Sequence, residues 1–429
     1  MEKIHSAALY FYNVTPTMPN TFRISFRLCD AVDADAMLSA VQTAQKRYPY
    51  FCKKVVRTEK EYLLDENPLP WVLRNTDKPF PLACGESNGH LLAFSFSQDW
   101  FYINVFHGFA DGAGIFPVIG TVFYYYIKAR YGEDLASPFL RDIHSAPSAE
   151  EINDPVVAMW PASWTEDSDE PLEAWPDDRI NPPAPLRITE MGVTRRAVPK
   201  SFKFTIPGAD LMRYCKRNDG SPATALALLI ARAMDRAYPD SGKEIVAGIA
   251  TNQRAALRTP TSHHSTVHYI RVPYGDKMRK YDFERQGTFA RGRVMIDSDP
   301  LYMREKLART APFYKHIEQL PTLAEKQDFV QETLGRDLRR LSLAVSYVGK
   351  SGFGAMENYI AENYVDLDAA GTDTMTELNF IGETFFVNFM QEWEEDNVFT
   401  ALLEELTANG IRYTRTYTGD CLFAGMKMN

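Results

Sequence analysis

Basic charge and cysteine are both scarce in this chain of 429 residues, and each shortage excludes something. Lysine and arginine total 47 against 56 aspartates and glutamates, a formal net charge of −9. Nucleic acid and anionic membranes are held by a concentrated basic face, so neither is expected as a partner. The five cysteines (Cys29, Cys52, Cys84, Cys215 and Cys421) are odd in number and far apart, which suggests reduced, mostly buried thiols and neither a disulfide framework nor a zinc site. Long uncharged apolar runs are missing too, and no window approaches the roughly eighteen residues of a membrane span. The opening MEKIHSAALYFYNVTPTMPN has no basic start, apolar run or cleavage site of a signal peptide, and Pro16 and Pro19 interrupt it early. A soluble cytoplasmic protein without an integral membrane segment is the expectation.

What the chain does have is enough apolar residue (45%) and length for more than one core, so two domains or one two-lobed body is expected. Its most informative stretch is Phe101 to Phe116, FYINVFHGFADGAGIF. Phe101, Ile103 and Val105 alternate as a strand that runs into a glycine-rich corner bracketed by His107 and Asp111 and then into a helix ending at Gly132. An imidazole at a strand end, beside glycines that let a ligand or another backbone come close, has the ingredients of a general base.

The flanking chain reads as strands feeding helices. Thr21 to Leu28 alternates as a half-buried strand, Asp33 caps a helix carrying Met37, Leu38, Val41 and Ala44, and Arg47-Tyr48-Pro49 stops it. Strand-like runs at Tyr62–Leu64 and Leu91–Phe96 follow. From Pro147 to Pro199 lie nine of the 26 prolines and the acidic run Glu166 to Asp178, the composition of a crossover or linker. Beyond it come a strand at Lys200–Ile206, helices at Gly208–Arg217 and Ala223–Ala237, strands at Glu244–Thr251 and Val267–Pro273, and a mostly helical stretch from about Phe283 to Leu320. A strand at Leu341–Val348 enters GKSGFG, a hairpin turns at Gly382-Glu383, and Asn397–Ala408 is the closing helix. There is no short-period repeat.

His107, Asp111 and Gly112 spell H-x-x-x-D-G at a strand-to-helix corner. This resembles the signature of the chloramphenicol acetyltransferase-like, CoA-dependent acyltransferase superfamily, which includes alcohol acetyltransferases and the condensation domains of peptide synthetases. Leu38 to Phe51, ending in Arg-x-Pro, looks like the family's first helix, and Ser221 to Ala233 like the helix opening its second lobe; the order of elements matches over nearly the whole length. The resemblance implies an α/β fold of two lobes, each a mixed β-sheet backed by helices. Residues 1–199 would form the N-terminal lobe and its Pro-rich crossover, and residues 200–429 the C-terminal lobe.

The resemblance also implies roles. His107 would take the proton from an acceptor hydroxyl or amine as it attacks the thioester of an acyl-CoA, acetyl-CoA foremost, with the site where the lobes meet. Asp111 would turn away from the histidine and pair with Arg254 of Thr251-Asn252-Gln253-Arg254, Asn252 supporting; a His-Asp relay and a plain N-cap role for Asp111 are alternatives. Ser346 and Tyr347 would face the histidine and hold the oxyanion or substrate, with backbone N–H groups near Gly108 as another source of donors. Transfer would be direct, in a ternary complex, because no serine or cysteine nucleophile is paired with His107 in the sequence, and no tightly bound cofactor is implied. Phe106 stands where many members have a second histidine. A carrier-protein-dependent, amide-forming condensation module and a catalytically silent binding relative are the competing functions.

Three further features have two readings each. SHHSTVH supplies His263, His264 and His268, either metal ligands or, in the absence of the H-E-x-x-H pattern, a polar channel wall or exposed loop. GKSGFG lacks the phosphate-loop spacing but leaves open a place beside the donor's phosphates. Phe123-Tyr124-Tyr125-Tyr126 lines either a pocket or the core, core being preferred.

Overall fold

The computed structural model describes residues 1–160, 184–369 and 371–427. The acidic run Glu166–Asp178 lies outside the described residues.

Two large sheets carry the fold, beside a small one of Glu2–Lys3, Tyr62–Glu66 and Lys53–Arg57. The first has five strands in the order Ile360–Leu367, Thr21–Leu28, Trp100–Phe106, Leu92–Ser97 and Leu73–Asn75. Alternation puts Phe22, Ile24 and Phe26 beside their antiparallel partners Val105, Ile103 and Phe101. On this sheet lies the helix Gly112–Tyr131, buried without interruption from Gly114 to Tyr124 and packed on Ala34–Gln45. Phe123, Tyr124 and Tyr126 are buried in this core and Tyr125 packs against it. Asp33 caps the shorter helix by accepting from the Ala36 N–H, and the longer one ends at Gly132 with φ +75°, a left-handed turn that glycine adopts without penalty.

The second sheet has seven strands in the order Val267–Tyr274, Ile245–Asn252, Leu343–Lys350, Thr374–Ile381, Thr384–Trp393, Arg195–Pro207 and Thr414–Asp420. It is mixed: Leu343–Lys350 runs parallel to both neighbours and the other pairs are antiparallel. The helices Gly208–Arg217, Pro222–Ala237 and Asn397–Ala408 cover it and close a second core around Leu226, Leu229, Phe389 and Leu402. Ser221 caps Pro222–Ala237 with Pro222 at its first position, where the missing N–H costs nothing. The molecule is the two-lobed α/β arrangement of mixed sheets backed by helices.

Chain order and sheet membership part company in two places. The boundary expected at 199/200 falls inside the strand Arg195–Pro207, and Ile360–Leu367, from the second half of the chain, pairs with Thr21–Leu28 in the first sheet. The helix at 397–408 is followed by an exposed edge strand, Thr414–Asp420, so it does not close the chain. A helix at Leu323–Leu338, capped by Thr322 with Glu325 bonding back, extends the helical stretch beyond Leu320.

Candidate active site

The strand Trp100–Phe106 delivers His107 to the junction of the two sheets, where its N–H donates to Asn20 O at 2.7 Å. A cavity of about 330 Å³ opens there, with walls from both sheets. His107, Asp111, Gly112, Asn252, Ser346 and Tyr347 all border it. Arg254 does not; it stands behind Asp111.

His107 sits under Tyr10, the rings stacked at 5.0 Å and 9° between planes, with Phe22 edge-on at 5.2 Å. Ser265 Oγ donates to the Tyr10 hydroxyl at 2.9 Å and lies 3.3 Å from His107 Nδ1. Because the serine hydrogen is committed to Tyr10, its oxygen accepts from Nδ1–H, which leaves the Nε2 lone pair as the basic position. Burial lowers the imidazole pKa below 6.5, Asp111 opposing the shift, so the ring is neutral at pH 7. The sequence does not show that a serine stands beside His107. Ser265 is absent from the cavity wall, and its oxygen meets Nδ1, which suits holding the ring rather than attacking a substrate.

Asp111 is fully engaged elsewhere. Oδ1 accepts from Arg254 Nη2 at 2.8 Å and the Gly114 N–H at 2.7 Å, while Oδ2 accepts from Arg254 Nη1 at 2.9 Å and the Thr266 N–H at 3.0 Å. Four bonds occupy the carboxylate's four lone pairs, so no relay to His107 exists. Burial alone would raise the Asp111 pKa, but Arg254 and the two N–H groups overcome it and hold the carboxyl below its ordinary value. Asp111 is also the N-cap of the helix Gly112–Tyr131, so the cap and the arginine clasp are one arrangement. Arg254 spends its remaining N–H groups on Ser262 O, His264 O and Asn252 Oδ1 at 2.9, 2.8 and 3.2 Å. Asn252 Oδ1 also accepts the Arg254 N–H at 2.9 Å.

The histidine segment strengthens the same clasp. His263 Nδ1 meets Gly114 O at 2.9 Å and its Nε2 lies 3.6 Å from Glu151, which pairs with Arg47 at 3.0 Å. His264 Nε2 meets Ile152 O at 2.7 Å. These two rings are neither exposed nor part of the cavity wall; they join the lobes. His268 does line the cavity, with Nε2 at 2.9 Å from Lys306 Nζ. Among the described residues no group of three or more His, Cys, Asp or Glu is arranged to hold a metal.

Of the corner's glycines, the tightest is Gly114. A Cβ there would stand 2.1 Å from His263 O, a backbone atom, whereas at Gly112 it would meet the Val348 side chain at 2.9 Å. Gly114→Ala is therefore expected to cost about 1–3 kcal/mol in urea unfolding, and Gly112→Ala less, because a side chain can yield. Equal losses would contradict this ordering.

Successive residues on Leu343–Lys350 diverge, so Ser346 faces Glu377 across the ladder while Tyr347 packs on Phe385. Of the backbone donors near Gly108, the N–H groups of His107 and Phe109 are taken by Asn20 O and Phe106 O. Phe106 is buried against Phe11 at 4.5 Å. GKSGFG packs on Phe139 and contributes nothing to the cavity wall. Sequence reasoning missed Tyr10, Ser265, Glu377 and Asn379, since only the fold assembles them.

No family model and no curated protein matches the sequence. Solved structures do match. TRI101 of F. graminearum, in complex with coenzyme A and deoxynivalenol, is 13% identical with a TM-score of 0.58, covering 94% of this chain and 98% of that one. The first condensation domain of the calcium-dependent antibiotic synthetase, bound to a substrate analogue, is 12% identical at a TM-score of 0.59, covering 95% of each chain. The chain has the chloramphenicol acetyltransferase-like fold. Polyketide synthase associated protein 5 from Mycobacterium tuberculosis has a similar fold, at 11% identity, a TM-score of 0.56, and 94% and 96% coverage. Among the described residues no helix is long and apolar enough to cross a membrane.

Proposed function

We propose that the protein is an acyltransferase that moves an acyl group from an acyl-CoA thioester to an alcohol or amine acceptor, with His107 as general base. The observation that carries this reading is a neutral, ring-locked imidazole whose Nε2 is free at a cavity between two sheets. Nε2 takes the acceptor's proton as its oxygen or nitrogen bonds to the thioester carbonyl; collapse of the tetrahedral intermediate expels the thiolate, which recovers that proton. Ser346 and Tyr347 are the proposed oxyanion or substrate contacts, the Ser346 hydroxyl turning from Glu377 to serve as donor, and Asp111 with Arg254 and Asn252 keeps the corner in place. The complex of a like-folded protein with coenzyme A supports the donor class. The donor is a co-substrate, acetyl-CoA foremost, and the cytoplasm is the proposed location.

The test is free-thiol release when the protein is incubated with acyl-CoAs and a panel of alcohols and amines. Turnover with free acyl-CoA sustains the reading; turnover only with acyl-carrier protein moves it to condensation, the reading that the like-folded condensation domain favours. Binding without turnover leaves a silent relative.

The protonated imidazole cannot act as base, so kcat/KM should rise with pH and level off. Since burial disfavours the imidazolium, the midpoint is expected below 6.5. A midpoint well above that in the pH profile would exclude His107 in this environment.

A further inference from the structure

The strand Thr374–Ile381 carries two polar side chains that proton transfer leaves unused. Met375, Glu377 and Asn379 alternate onto its cavity face. Glu377 is 7% exposed and Asn379 6%. Among the described residues no cation pairs with Glu377; Ser346, its register partner, offers it a hydroxyl, and the Tyr269 hydroxyl lies near it. Burial pushes the carboxyl up to about 7, and the Ser346 hydroxyl offsets only part of the rise. Asn379 Nδ2 is buried with no hydrogen-bond partner. An under-bonded acceptor and an unpaired donor on one wall of a cavity are costly to the folded state, and a ligand satisfies both.

The spacing narrows what that ligand presents. Residues i and i+2 on one strand face are about 6.6 Å apart. A trans amide points its N–H and C=O in opposite directions, with nitrogen and oxygen about 2.3 Å apart, and hydrogen bonds of about 2.9 Å at each end span such a gap. An ester has no N–H to give, and a hydrocarbon has neither group.

We propose that Glu377 and Asn379 form an amide-binding subsite of the cavity, the carboxyl accepting the N–H of a ligand's secondary amide and the carboxamide donating to its carbonyl. Two substrates supply that chemistry: the pantetheine arm of a CoA-type donor, and an acceptor that itself contains an amide. The assignment rests on the acyl-transfer reading only in treating the cavity as a substrate channel.

Equilibrium binding to the full chain, measured by calorimetry without turnover, keeps failure of the subsite distinct from failure of transfer. The probes are pantetheine, N-benzylacetamide and its ester counterpart benzyl acetate. Glu377→Leu is expected to weaken an amide probe about tenfold, the scale of one buried hydrogen bond, and to leave benzyl acetate unchanged, whereas Asn379→Leu, which removes a donor that an ester carbonyl can also use, is expected to weaken amide and ester alike. Both variants should melt no lower than the parent, because each removes an under-bonded buried group; a purely structural residue would show the opposite. Loss confined to pantetheine assigns the subsite to the donor arm, and loss with N-benzylacetamide assigns it to the acceptor path. Unchanged amide affinities, equal loss for the ester in Glu377→Leu, or a parent that prefers neither amide over benzyl acetate would overturn the proposal.

Discussion

His107→Ala is expected to lower kcat for acyl transfer by about 10²- to 10⁴-fold, the usual worth of a positioned general base. The loss should fall on kcat more than on KM, because the ring is one element of a cavity whose walls come from both sheets and the acceptor keeps the rest of its contacts. The ring lies between Tyr10 and Phe22, so its removal leaves a small void, and a thermal melt run in parallel separates a modest loss of stability from the loss of rate. Ser265→Ala provides the companion measurement: it frees Nδ1 without touching Nε2, and a smaller decrease in kcat is expected from a looser ring. If His107→Ala turns over at the parent rate in the free-thiol assay, the imidazole is not the base.

Breaking the clasp should have the largest effect on stability. Asp111→Ala strips Arg254 of its bidentate partner and leaves the Gly114 and Thr266 N–H groups without an acceptor. Both side chains are nearly inaccessible, at 3% and 6% exposure, so the orphaned guanidinium cannot recover its hydration. About 3–5 kcal/mol is expected from a one-sided break of this kind, a large share of the 5–15 kcal/mol that holds a typical domain together. Arg254→Met should cost a similar amount, and the double variant Asp111→Ala/Arg254→Met much less than the sum. Urea unfolding of the four proteins forms a double-mutant cycle, and additive losses would mean that the pair is not coupled. The pH dependence follows from the depressed Asp111 pKa. The clasp contributes fully above the carboxyl's unfolded value and is lost only as pH falls through its lower folded value.

Local pattern made much of the scaffold legible. Alternation located the strand Thr21–Leu28, although it is buried on both faces rather than half-buried, Asp33 announces a helix, and Gly382 marks a hairpin between two alternating runs. Ile360–Leu367 was harder to see because Glu362, Asn363 and Asp366 interrupt its apolar residues; their partners, such as Arg27, lie more than 300 positions away. Thr414–Asp420 has no buried face and therefore no alternation to read. For Leu323–Leu338 a signal was present, the Thr322/Glu325 capping box, although its apolar spacing is sparse. At the site, the motif residues and Arg254 could be named through the resemblance. Tyr10 and Ser265 could not, since nothing near either one in the chain refers to His107. The histidine run looked like chemistry because three imidazoles stand within seven residues, yet two of them serve as hydrogen-bonded struts.

The strand Ile360–Leu367 also sets a timetable for the chain as it is made. Thr21–Leu28 is a central strand only once that partner arrives; until then one of its edges has no neighbour in the sheet. At about 5–20 residues per second, the ribosome exposes that edge for tens of seconds before its complement leaves the exit tunnel. Such an open edge, with Phe22, Ile24 and Phe26 beside it, is a template for pairing with another nascent copy. Slowing translation downstream of Leu28 should therefore lower the soluble yield of this fold, and added chaperone should restore it.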